Sequence, residues 1–143
     1  MTDWTEDTSR PIIHTQADLE DTWRLLMEPL GFARRSLWLL FIDTDDRPVR
    51  QITEIEDIPP VLDAEDRLGL QRLMEEVGGS GLRPAFLISR PGPGGPTDED
   101  RRCAGDVVAA CHAAGVAPEV VHVATDTDLA PVPMDDLPMP ASA

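Results

Sequence analysis

Along the chain, apolar residues alternate between helical spacing and short strand-length blocks. From Thr15 onward, Leu19, Trp23, Leu26, Met27 and Leu30 fall on one helix face, and Thr15 with Asp18 three residues later forms a capping pattern. Pro29 and Gly31 end that helix. Leu37-Trp38-Leu39-Leu40-Phe41-Ile42 is an unbroken apolar block of strand length, so it predicts a central strand buried on both faces. The turn Asp43-Thr44-Asp45-Asp46-Arg47-Pro48 follows, because Asp side chains bond back to the backbone and Pro fixes φ. Residues 49–55 alternate imperfectly between apolar and polar, which predicts a half-exposed strand hairpinned onto the first.

Pro59-Pro60 breaks the chain, and Asp63 with Asp66 opens a second helix. Its core face is read as Leu70, Leu73, Met74 and Val77, with Gly78-Gly79 as the stop. Residues 84–88 predict a short buried strand. Residues 98–114 predict a third helix buried through Ala104, Val107, Val108 and Cys111, widened by Cys103, Ala110 and Ala114 and capped by Gly115. Residues 119–124 predict a last strand. The order is helix, hairpin, helix, strand, helix, strand, which makes an α/β fold: a mixed sheet flanked by helices, its later strands joined by crossovers. Residues 1–14 read as a flexible lead-in, 15–125 as the domain, and 126–143 as an acidic, proline-rich, disordered tail.

With 143 residues the chain has room for one core. Its 12 basic residues are all arginine and stand against 27 acidic ones, for a formal charge of −15. A surface this negative repels phosphate backbones, so nucleic acid is not an expected partner. No run reaches the roughly 18 apolar residues of a membrane span, and the acidic start lacks a signal peptide's basic and apolar regions. A cytoplasmic location is therefore expected. Cys103 and Cys111 lie about 12 Å apart along one helix, beyond disulfide reach, and read as reduced core thiols.

The candidate chemistry gathers between the third strand and the third helix, in Leu87-Ile88-Ser89-Arg90-Pro91-Gly92-Pro93-Gly94-Gly95-Pro96-Thr97-Asp98-Glu99-Asp100. Thr97 and Asp100 form a second capping pattern. Arg90, Gly92, Gly94, Gly95 and Thr97, at a helix N-terminus, are candidates for binding a small anion or nucleotide. Other constellations are weaker. Asp43-Thr44-Asp45 after a strand superficially matches the start of Mg²⁺-dependent phosphatases of the haloacid-dehalogenase type, but Asp46-Arg47 replaces the usual glycine and hydroxyl, and the chain has no lysine. Cys111, His112 and His122 could meet at a metal only by tertiary accident.

The element order and three sequence blocks resemble JAB/MPN domains of the RadC type. Residues 37–47 look like that family's first strand and turn, Pro96-Thr97-Asp98-Glu99-Asp100-Arg101 like its helix start, and Val121-His122-Val123 like its closing strand. The resemblance covers roughly residues 15 to 125. It implies a three-layer, cytidine-deaminase-like sheet and a zinc held by two histidines and the helix-start aspartate, with a glutamate as base. Here the histidine positions fall on Leu87 and Ser89, or on Ile88 and Arg90, and the glutamate position falls near Arg35 or Ser36. Only Asp100 keeps its chemistry. Ser89, Arg90 and Asp100 thus read as the remnant of a metal site, with Arg90 able to pair with Asp100 in the metal's stead. The expectation is a non-catalytic domain with no metal or cofactor. It would engage a protein partner or itself through a sheet edge, a helix face or the tail; the alternatives are an anion-binding domain and, as a minor one, a Mg²⁺-dependent phosphatase.

Overall fold

The capping pattern at Thr15 closes as its spacing predicts. The structure is a computed structural model describing residues 11–49, 52–59 and 61–137. In it Thr15 Oγ1 accepts the Asp18 N–H and Asp18 Oδ2 accepts the Thr15 N–H, opening helix α1 (Gln16–Met27). Strand β1 (Ser36–Ile42) follows, then β2 (Thr53–Glu56), α2 (Ala64–Val77), β3 (Arg83–Ser89), α3 (Asp98–Ala113), β4 (Val121–Ala124) and β5 (Leu129–Val132). The strands form one five-stranded mixed sheet in the order β2-β1-β3-β4-β5.

Strand β1 pairs antiparallel with both neighbours, placing Leu37 opposite Ile55 on β2 and Ile88 on β3. The β3-α3-β4 unit is a parallel crossover, and β4-β5 is an antiparallel hairpin. Period-2 alternation sorts the strand side chains onto two faces. Leu37, Leu39, Phe86, Ile88, Val121 and Val123 pack with Leu70 and Met74 of α2 and with Ala104, Val107 and Cys111 of α3. Leu40, Ile42, Ala85 and Leu87 pack with Leu19, Trp23 and Met27 of α1. One helix thus covers one face and two cover the other, which explains why β1 and β3 read as continuous apolar runs.

Four expectations need correction. The second strand is Thr53–Glu56, later than the reading of 49–55, and all four of its residues are exposed. It lies at the sheet edge, and Ile52 just before it is the residue that enters the core. Leu73 is 37% exposed and does not belong to the core face of α2, which is buried through Leu70 and Met74. The lead-in is anchored at its end: Ile13 is buried, its N–H donates to Asp46 O at 2.7 Å, and Arg83 Nη2 donates to its carbonyl. The tail begins later than residue 126, because β5 pairs with β4 and buries Leu129 and Val132. Residues 1–10 and 138–143, the rest of the expected lead-in and tail, lie outside the described residues. No helix among the described residues is long and apolar enough to cross a membrane.

The α1 face carries one buried titratable ring. His122 is fully buried on β4, with Nδ1 3.2 Å from Val120 O and Nε2 without a partner. Burial pushes its pKa from 6.5 down to about 4, against the raising charge of Glu20. The unfolded chain therefore binds more protons than the folded one between those values, and stability falls as pH drops through that window. We predict a loss approaching ~3 kcal/mol between about pH 6.5 and pH 4. Denaturant titrations across pH should show it, and His122→Leu should flatten the slope in that interval.

Candidate functional site

The strand-to-helix connection carries an aspartate that should be costly to bury. Asp100, at the third position of α3, is fully buried. Its local role is the cap: Thr97 Oγ1 accepts the Asp100 N–H at 3.3 Å, and Asp100 Oδ2 accepts the Thr97 N–H at 2.9 Å. A capping carboxylate can face water, whereas this one is turned inward onto two arginines. Arg90 Nε donates to Oδ1 and Oδ2 at 3.0 and 2.9 Å, and Arg90 Nη2 lies 2.9 Å from Oδ2. Arg35 Nη1, arriving from the segment that enters β1, lies 3.3 Å from Oδ1.

Burial alone would raise the Asp100 carboxyl. The Arg90 hydrogen bonds, the Thr97 N–H and the charges of Arg90 and Arg35 outweigh it and hold the group below the ordinary carboxylate range. The Cys103 thiol, one helical turn further on, is pushed up to about 11 by its own burial in spite of Arg35 nearby, and so remains protonated at neutral pH.

The rest of the loop is bound just as fully to the chain itself. Arg90 donates through Nη2 to Gly95 O and through Nη1 to Pro91 O, holding the loop from inside. From outside, Asp126 accepts the Gly92 N–H on Oδ2 and the Phe32 N–H on Oδ1, while its own N–H donates to Gly92 O. Thr127 Oγ1 accepts the Gly94 N–H, and Thr125 Oγ1 donates to Gly94 O at 2.7 Å. Gly92 and Gly94 have φ of 101° and 93°, so a side chain at either would strain the backbone. The Gly92 hydrogen bond, followed by that of Phe32, holds the Asp126 carboxyl below its usual range.

Of the residues singled out in the sequence, Arg90 and Asp100 meet, a pairing the resemblance allowed and left open. Ser89 is buried and accepts the Trp38 indole N–H at 2.9 Å, away from that pair. Gly92, Gly94 and Thr97 spend their N–H groups on Asp126, Thr127 and Asp100, so the chain's own acceptors stand where an external anion would bind. Gly95 offers its carbonyl to Arg90. Arg35 was legible only as a position lacking the family's glutamate; its partnership with Asp100 crosses the sheet and leaves no local signal. Asp126 was hidden by assigning residues 126–143 to the tail, although Thr125-Asp126-Thr127-Asp128 has the composition of a hydrogen-bonding turn.

The other candidates stay apart. Asp43 Oδ1 accepts the N–H groups of Asp45 and Arg47, closing the turn after β1. Cys111 is buried among the α2 and α3 side chains, His122 lies on the opposite face of the sheet, and His112 is exposed. Zinc does not fit the Asp100 site: both carboxylate oxygens are held by guanidinium groups whose charge opposes a divalent cation, and its neighbours offer no imidazole. Among the described residues no three His, Cys, Asp or Glu side chains converge as metal donors. Comparison of the chain with protein-family models, curated proteins and solved structures finds no match.

Removing one partner of a buried ion pair leaves the other charged and unsolvated. Asp100→Ala, which strands two guanidinium groups and removes a cap, should lower stability by about 3–5 kcal/mol. A double-mutant cycle with Arg90→Ala, read by denaturant unfolding, should give a coupling above about 1 kcal/mol.

Proposed function

We propose that this chain is a non-catalytic, JAB/MPN-like domain of RadC type that works as a protein-interaction or assembly module in the cytoplasm. The observation that carries the reading is the Arg90–Asp100–Arg35 cluster, three buried or half-buried charges in the region where the family resemblance would put its metal. An arginine in a histidine's position and another near the glutamate's replace a Lewis acid and a base with two fixed cations, neither able to activate water at neutral pH. The strand–loop–helix frame is kept, and its ligand set is exchanged for an ion cluster that holds the frame together.

A second reading, a small-anion or nucleotide site, draws on one observation. Arg35 Nε and Nη2 are buried without a hydrogen-bond acceptor, beside the start of α3. Against it, the N–H groups of Gly92 and Gly94 are already bound within the chain.

Two measurements separate these readings. Elemental analysis of the purified chain should find no stoichiometric zinc; zinc that disappears in Asp100→Ala would overturn the non-catalytic reading. A thermal-shift series with inorganic phosphate, nucleotides and phosphorylated metabolites should leave the melting temperature unchanged. Stabilisation that grows with ligand concentration would transfer the assignment to the anion site.

A further inference from the structure

An apolar groove lies away from the ion cluster, between α2 and the β2 edge. The groove, of about 580 Å³, is floored by Leu37, Ile58, Leu62 and Leu70 and flanked by Ile55, Leu68 and Leu73. Ile55, Leu68 and Leu73 are 39%, 44% and 37% exposed, which places three of the large exposed apolar side chains on one feature. Scattered singly, such residues need no explanation; gathered on a concave surface they mark an interaction site. Beside the groove runs an open strand edge, since β2 pairs with β1 on one side and, among the described residues, with no strand on the other. The opposite edge, β5, contains Pro131, which has no N–H to offer.

We infer that this edge and groove accept an extended segment of a partner protein with apolar residues at every second position and Arg or Lys between them. The inference rests on the interaction-module reading above and names its surface and partner chemistry. A strand added to β2 satisfies the outer-edge backbone groups and points alternate side chains to opposite faces of the sheet. On the face shared with Ile55, those side chains enter the groove. On the other face lie Glu54 and Glu56, by strand alternation.

Charge selects the occupant. Among the lining residues, Asp57, Glu65 and Asp66 outnumber one guanidinium, Arg72, and Glu56 borders the groove from the strand while its side chain lies with Glu54 on the other face. Glu56 and Asp57 are held by Arg34 at 3.3 and 3.6 Å, through side chains at least half exposed, so an incoming cation can take its place. A second copy of the chain is disfavoured, because antiparallel pairing of β2 with its twin sets Glu54 and Glu56 against like charges between molecules of formal charge −15. The chain's own start, with Asp3, Glu6 and Asp7, meets the same repulsion.

The test uses the full chain and a fluorescein-labelled peptide of about eight residues alternating leucine or valine with arginine, read by fluorescence anisotropy. Saturable binding is expected, weakened tenfold or more by Ile55→Asp and by Leu73→Asp. Both positions are exposed, so these variants should melt near the parent temperature. A peptide with glutamate in place of arginine should not bind, and one of the same composition with its arginines clustered at one end should bind at least tenfold more weakly. Equal binding of the clustered peptide, or indifference to Leu73→Asp, overturns the inference by reducing it to bulk charge attraction. A concentration-dependent dimer abolished by Ile55→Asp gives the surface to a second copy. Shifts in the amides of residues 1–10 caused by Leu73→Asp without peptide give it to the chain's own start. No binding at all, from a protein that is zinc-free and unmoved by anions, overturns the groove alone and leaves the interaction-module reading standing.

Discussion

A carboxylate taken out of water must be neutralised where it lies, and Asp100 is neutralised by elements far apart in sequence. Arg35 reaches it from the approach to β1, Arg90 from the end of β3, and Thr97 from the start of α3. The charge that is costly to bury is thus also what ties three pieces of backbone to one point. Such clusters contribute little net stability compared with a well-packed apolar core, but losing one member is severe. Once Arg90 is fixed on Asp100, its remaining donors reach Pro91 O and Gly95 O, and the loop between β3 and α3 is held in one shape. Asp126 and Thr125, on the β4–β5 turn, grip the same loop from the other side.

This arrangement engages several polar groups of the strand-to-helix loop, where ligands often sit in an α/β fold, in bonds within the chain. The N–H groups of Gly92, Gly94, Thr97 and Asp100 are turned onto the chain's own oxygens. An open apolar surface lies at the β2 edge, where Ile55, Leu68 and Leu73 are exposed in a groove also lined by Asp57, Glu65 and Asp66. The strongly acidic composition bears on both places. At the loop it supplies internal anions for arginine and backbone N–H groups, and at the edge it supplies the carboxylates on which the inferred basic segment would rest.

Much of the fold was legible because its elements are written locally. The capping pairs Thr15–Asp18 and Thr97–Asp100 name their helices, and the apolar block 37–42 has the length and continuity of a strand covered on both sides. The Arg90–Asp100 contact was left open: the resemblance allowed Arg90 at one of two histidine positions, and only the folded loop brings it onto Asp100. Tertiary facts were not legible. Leu73 shares helical phase with Leu70, Met74 and Val77, and nothing local says that the sheet ends before reaching it. Residues 129–132 look like the start of a proline-rich tail until β4 offers a partner strand, because edge pairing tolerates Pro131 where a central strand would not. Arg35 and Asp126 act across the sheet and between loops, at separations that no periodicity encodes.

The ion cluster itself is most directly tested by the arginine side-chain region of a nitrogen-15 NMR spectrum, recorded with and without one equivalent of Zn²⁺. If Arg90 Nε–H is locked onto the Asp100 carboxylate, its resonance is protected from solvent exchange, lost in Asp100→Ala and unmoved by the metal. A freely exchanging Arg90 Nε–H, or one displaced by zinc as Asp100 takes up the ion, would contradict the proposal that a fixed internal charge cluster stands where a metal would be.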